Sequence, residues 1–285
     1  MKSVIRLSLC CSFFMFFQNT LAQQKTGEIF TPSQLEDVEI KAFPFTKSEL
    51  PEDASLKSFC PPVFAQAGGT CFAYASAYAG RSVLYNATHN NTSVDQKRVF
   101  SPGYVVRQLQ PKRTFGNPRC SKGSSTINAC KLMARTGVVP LNVFQEECSR
   151  RDITDEMRTT ANQYRIVIKS LFNPCDDVLR KVYQIQEALS NGHPVVVGLT
   201  TTNSFMNNRN GEIADLWIPT SNELAQANCN TANHAVCIVG YHGTKYGGVF
   251  EIMNSWGDDW KNGGFTYVKY QDLAKFLSFA IELSN

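Results

Sequence analysis

Gln66-Ala67-Gly68-Gly69-Thr70-Cys71 leads into Phe72-Ala73-Tyr74-Ala75-Ser76-Ala77-Tyr78-Ala79-Gly80-Arg81-Ser82-Val83-Leu84-Tyr85, a run rich in alanine and small residues on every face. Such a run makes a helix suited to burial. The glycines and the capping-type Thr70 fix where it begins and place Cys71 in its first turn. A thiol attacks a carbonyl efficiently only as thiolate, and the unpaired amides and macrodipole of a helix N-terminus favour that charge. The plainer reading is a buried structural cysteine, the commoner fate of a lone Cys on an Ala-rich helix. Against it stand the glycines, which let a second backbone approach closely, and Gln66, whose side-chain amide can serve an oxyanion together with the Cys71 amide.

A nucleophilic thiol also needs a base, and the chain offers only His89, His193, His234 and His242. His89 lies in a polar Asn/Thr stretch, His193 in a Gly-His-Pro turn, and His242 just after Gly240-Tyr241; all three read as turn or solvated residues. His234 opens the apolar strand Ala235 to Tyr241, which holds an imidazole on rigid scaffold. The third part is Asn254-Ser255-Trp256-Gly257-Asp258-Asp259-Trp260-Lys261-Asn262-Gly263-Gly264-Phe265. An Asn at a strand end can accept the second imidazole N–H and fix tautomer and orientation, while a neighbouring indole keeps water away from that bond. Alone, this stretch would read as a Gly/Asn turn with two packed tryptophans.

Around these segments the chain divides by character. From Gln23 to about Lys57 it is polar, has no sustained period and reads as an extended leader. Helices are expected from Ser101-Pro102 through Leu109 and over Ile127 to Arg135, the latter stopped by Gly137. The second half alternates from Tyr164 to Ser170, has helical spacing over Val178 to Leu189, and then becomes strand-like. Its strands are Pro194 to Leu199, Ala235 to Tyr241, Gly248 to Asn254, Phe265 to Lys269 and Phe279 to Leu283.

Gln66, Cys71, His234 and Asn254 in this order resemble the papain-like cysteine peptidases. Gln-x-x-x-x-Cys-Phe-Ala-Tyr-Ala is similar to that family's nucleophile segment, His234 to Tyr241 to its histidine strand, and Asn254-Ser255-Trp256-Gly257 with Trp260 and Gly264-Phe265 to its asparagine segment. The resemblance spans roughly residues 60–285 and implies an α+β fold of two lobes with the site in the cleft between them. The helical lobe, about 58–160, carries Cys71; the β-rich lobe, about 161–285, is antiparallel, barrel-like and carries His234 and Asn254. It further implies peptide substrates, no cofactor or metal, substrate binding at Gly123 and Ser124, and a Cys120–Cys148 bridge. Three departures stand out: the Gln66 to Cys71 interval is one residue shorter than usual, Lys261 replaces a usual glycine, and the leader is too short for a long helical inhibitory propeptide. The competing reading is a catalytically silent binding protein on the same scaffold.

The remaining features bound the setting. Lys2 and Arg6 flank an apolar run from Leu7 to Phe17 that ends near Thr20-Leu21-Ala22, a cleavable signal peptide over residues 1–22. The run is far shorter than the roughly 20 apolar residues of a spanning helix, so the mature chain is expected in an exported compartment without a membrane anchor. Setting aside Cys10, Cys11, Cys71 and the apolar Cys237 leaves Cys60, Cys120, Cys130, Cys148, Cys175 and Cys229 for disulfides. A metal site built on Cys229, His234 and Cys237 is the weaker reading of that region. The 285 residues are 43% hydrophobic and 18% charged, and a dispersed net charge of +4 gives no footprint for nucleic acid or an acidic membrane face.

Overall fold

The computed structural model describes residues 26–44, 49–92, 95, 97–110, 120, 122–145, 148, 151–207 and 215–285. The expected signal peptide over residues 1–22 lies outside them. Helix α1 runs without a break over residues 71–88 and is buried from Cys71 to Arg81. Small side chains allow this: a β-carbon on Gly80 would stand 2.7 Å from Leu283 Cδ1 and 2.8 Å from Val196 Cγ2, so the helix backbone lies directly on two strands. Its middle, Tyr74–Arg81, widens to π geometry, and the Ser82 hydroxyl donates back to Ala77 O at 3.3 Å. Such widening inside a helix recurs at functional sites. Thr70 does not cap the helix; its hydroxyl donates to Ala67 O at 2.9 Å.

Helices α2 (Pro102–Leu109) and α3 (Thr126–Thr136) match the expected segments. Ser101 Oγ accepts the Tyr104 amide and Ser125 Oγ the Asn128 amide, and Gly137 ends α3 at φ 73°. Helix α4 (Asp155–Asn162) was not legible in the sequence because it buries only Met157 and Ala161. Helix α5 (Val178–Ser190) starts at Asp177, whose carboxylate accepts the amides of Leu179 and Arg180. Three shorter helices follow: α6 (Asn203–Met206), α7 (Ser221–Ala225) and α8 (Tyr270–Phe276).

Among the described residues eight strands form one sheet: β1 (Asp53–Ser55), β2 (Val167–Ser170), β3 (Val195–Leu199), β4 (Leu216–Trp217), β5 (His234–His242), β6 (Val249–Met253), β7 (Phe265–Lys269) and β8 (Leu277–Ser284). The order is β2-β8-β3-β5-β6-β7-β4, with β1 paired to the C-terminal half of β5. All pairs are antiparallel except β4 with β7. Among the described residues β2 and β4 end the order, so the sheet is open where the sequence led us to expect a barrel-like closure. Strand β1 shows that the stretch read as leader joins the sheet at its C-terminal end.

The long strand β5 is central, with β3 on one side and β6 on the other, and is buried through Tyr241. Opposite Gly198 of β3, the Phe279 ring of β8 lies where a side chain would go, 2.1 Å from an ideal β-carbon. Gly198→Ala is therefore expected to destabilise the fold by about 1–3 kcal/mol, read as a drop of several degrees in the thermal midpoint. Disulfides join Cys120 to Cys148, as the resemblance implied, and Cys175 to Cys229; Cys60, Cys71, Cys130 and Cys237 are free. The Cys175 bridge removes Cys229 as a metal ligand.

Candidate active site

The fold brings the start of α1, the start of β5 and the end of β6 to one place. Cys71 begins α1, His234 begins β5, and Asn254 follows Met253; none is more than 2% exposed. His234 Nε2–H donates to Asn254 Oδ1 at 2.8 Å, and the same oxygen accepts the Ser255 amide at 2.8 Å. This leaves Nδ1 as the imidazole atom with no protein partner. The Trp256 ring stacks on the imidazole at 4.5 Å and 25°, shielding the bond to Asn254 from solvent.

Behind the imidazole stands an aromatic group that sequence reasoning missed. Phe205, on α6, lies 6.2 Å from His234, 5.4 Å from Trp256, 5.2 Å from Trp260 and 4.8 Å from Trp217. Trp217 Nε1 donates to Ser204 Oγ at 2.9 Å, and Ser204 donates from Oγ and N to the Glu223 carboxylate at 2.6 and 3.0 Å. Burial pushes Glu223 up, but the hydrogen bonds from Ser204 and Thr220 outweigh it and hold the carboxyl down to about 2. Thr220-x-x-Glu223, the capping box of α7, was the readable signal for this support.

Gln66 is fastened to the asparagine segment. Its amide donates to Ser255 O at 2.8 Å, its Oε1 accepts the Ser255 hydroxyl at 2.7 Å, and its Nε2 donates to Gly68 O at 2.9 Å. Ala65 bridges Trp256 beside it. All four sequence-derived residues thus belong to one site, joined across the two halves of the chain. Lys261 occupies its turn at φ 50°, the left-handed conformation that glycine adopts most readily.

The site is covered by the leader. Gly27 and Glu28 both donate their amides to Asn233 O at 3.0 Å. Ser124 N donates to Gly27 O at 2.9 Å and Ile29 N to Ser124 O at 3.1 Å, a parallel bridge between Glu28 and Ser124. Gly123 and Gly69 make room for it: β-carbons there would stand 1.9 Å from Gly27 O and 3.3 Å from Gly27 Cα. The Cys71 sulfur meets the amides of Ala235, Gly27 and Phe72. Burial pushes the thiol up to about 12, the nearby Glu28 carboxyl adds to this, and the three amides oppose it. Burial likewise brings His234 down to about 4, with the Asn254 bond opposing. With the leader in place, burial thus disfavours the charged form of both the thiol and the imidazole.

The other histidines have separate partners. His89 Nδ1 lies 2.7 Å from Tyr85 O, His193 Nδ1 lies 2.7 Å from Glu282 Oε1, and His242 lies near Asp53 and Glu251. Among the described residues no group of three or more His, Cys, Asp or Glu side chains is placed to hold a metal ion, and no helix is long and apolar enough to cross a membrane.

Residues 57–278 match the model of the papain family cysteine proteases, and the chain belongs to that family. It is 25% identical over 207 residues to a protein named cysteine protease from Blomia tropicalis; the match covers 70% of this chain and 55% of that protein, so it spans about half the relative's length. Among solved structures, xylellain, a cysteine protease from Xylella fastidiosa, superposes with a TM-score of 0.61 at 21% identity, covering 92% of this chain and 97% of the other. A digestive procathepsin L2 proteinase from the Tenebrio molitor larval midgut gives 0.68 at 18% identity, covering 92% and 79%.

Proposed function

We propose that this chain is an exported cysteine-type peptidase held latent by its own leader. The observation that carries the reading is the convergence of Cys71 at a helix N-terminus with an imidazole oriented by Asn254. In the open site the Cys71 thiolate pairs with imidazolium His234 and attacks a peptide carbonyl. The oxyanion is received by the Cys71 amide and the Gln66 side chain. His234 protonates the departing amine as the C–N bond breaks, leaving a thioester; water, deprotonated by His234, then releases the acid and restores the thiol. Ser124 supplies main-chain pairing to the substrate strand, and the Gly123 backbone leaves it room. The two disulfides support an oxidising, extracytoplasmic location.

Latency follows from the same geometry. The leader presents the Gly27 N–H to Cys71 where a substrate would present a carbonyl carbon, so the occupant gives the sulfur nothing to attack. Leu35 and Val38 are buried, Lys41 pairs with Glu187 and Glu282 at 3.0 Å each, and the Lys41 amide donates to Ser170 O at 2.8 Å. These contacts fasten the leader from the cleft to the β2 edge.

The test is labelling with a thiol-directed epoxide, mapped by mass spectrometry, alongside turnover of an unbiased peptide library. Cys71 should be modified and peptides cut, with a bell-shaped pH dependence bounded by ionisation of Cys71 and loss of the His234 proton. Absence of label on Cys71, or turnover with a flat pH profile, would argue against the mechanism.

A further inference from the structure

We propose that the pocket at the start of α3, built on Thr126, selects a glutamate or glutamine side chain in the substrate, two residues before the cleaved bond. The inference rests on the peptidase reading above and names what that site prefers. Glu28 is 6% exposed although it is acidic, and both its carboxyl oxygens accept the Thr126 amide, at 3.1 and 3.0 Å. The Thr126 hydroxyl donates to the same group. The next residue, Ile29, is 53% exposed. In an extended strand, a slip of one residue exchanges the inward and outward side chains. Here Gly27 fixes the register, since a β-carbon there would stand 2.2 Å from Gly69 O, and the side chain that this register buries is Glu28, held by the amide and the hydroxyl of Thr126.

The position on a substrate follows from the main chain. Glu28 faces Ser124, and its neighbour Gly27 reaches the Cys71 sulfur. A substrate running in the opposite, productive direction that also pairs with Ser124 has one residue between the one facing Ser124 and the scissile bond. Its side chain facing Ser124 enters the Thr126 pocket. Burial raises the Glu28 carboxyl to about 8, against the pull of the two Thr126 donors, so a carboxamide is accepted about as well as the acid.

Two measurements test this. The first uses the full chain carrying Glu28→Ala, which loosens the leader, and a fluorescent synthetic peptide of residues 26–35 with Glu, Gln or Leu at position 28. The Glu and Gln peptides should bind at least about tenfold more tightly than the Leu peptide, a difference of about one buried hydrogen bond to a charged or polar group. Adding Thr126→Val, which removes the hydroxyl and keeps the amide donor, should weaken the preference severalfold, and Thr126→Ser should retain it. The second compares kcat/KM for substrates with Glu, Gln or Leu two residues before the cleaved bond, where the same order is expected. Turnover with Leu preferred, or equal binding of the three peptides, overturns the pocket while leaving the peptidase intact. Binding in the expected order without turnover of any substrate supports the pocket and sinks the peptidase reading.

Discussion

Cys71→Ala is expected to lower kcat/KM for peptide hydrolysis by about four orders of magnitude or more, and His234→Ala by a similar factor. The double variant should be hardly worse than either single one, because nucleophile and base act as a unit. Cys71 lies fully buried in an Ala-rich contact layer, where replacing its CH2SH side chain by a methyl removes a single heavy atom, so a folded variant should be recovered. The measurement is steady-state hydrolysis with the thermal midpoint taken in parallel. A Cys71→Ala protein that folds and still cuts peptides would exclude the thiol mechanism. An inactive Cys71→Ala with a fully active His234→Ala would instead point to another base.

The second large effect concerns the latch. When the leader docks, burial raises the Glu28 carboxyl from 4.5 to about 8, more than its hydrogen bonds to Thr126 lower it, so docking takes up a proton. The sign follows from linkage: the Glu28 contribution is fully present below the free value of 4.5 and is lost as pH rises toward about 8. Epoxide labelling of Cys71 reports the open population. The groups that feel the Glu28 charge are the Cys71 and Cys130 thiols, and Thr126 faces it from α3. Glu28→Gln keeps an acyl oxygen and removes the titration, so shared effects of Cys71 and His234 cancel in a ratio. The wild-type labelling rate divided by the Glu28→Gln rate is expected to rise at least about tenfold from pH 5 to pH 8. Glu28→Ala should label about 10- to 100-fold faster than Glu28→Gln throughout. A ratio independent of pH would remove Glu28 as the latch.

Much of this site was legible because its parts are local. A run of small residues after two glycines can only be a buried helix with a defined start, and a single histidine opening an apolar strand stands out from three in turns. Asn254 was legible from its flanking Trp256, Gly257 and Trp260. What escaped notice depends on contacts between distant segments. Phe205 and Trp217 sit on elements of four and two residues, too short to show a period, and gain their meaning only by packing, Phe205 on His234 and Trp217 on Phe205. Glu28 looked like one more polar residue in an extended leader. Its burial is imposed by Thr126 and Ser124, about a hundred positions away, through pairing that no local pattern encodes. Thr70 was misjudged as a cap because its identity suits one, but its hydroxyl turns back to Ala67 O. That leaves the first-turn amide of Phe72 for the Cys71 sulfur.

The aromatic group behind His234 also makes the protein its own optical instrument. The chain has three tryptophans, and all three belong to that group: Trp256 lies on the imidazole, Trp260 meets Trp256 edge-on at 5.5 Å, and Trp217 reaches them through Phe205. Tryptophan emission from this chain, excited selectively over its tyrosines, therefore has no background from elsewhere. Charging of the imidazole and departure of the leader can both be followed in real time, without a dye or a substrate.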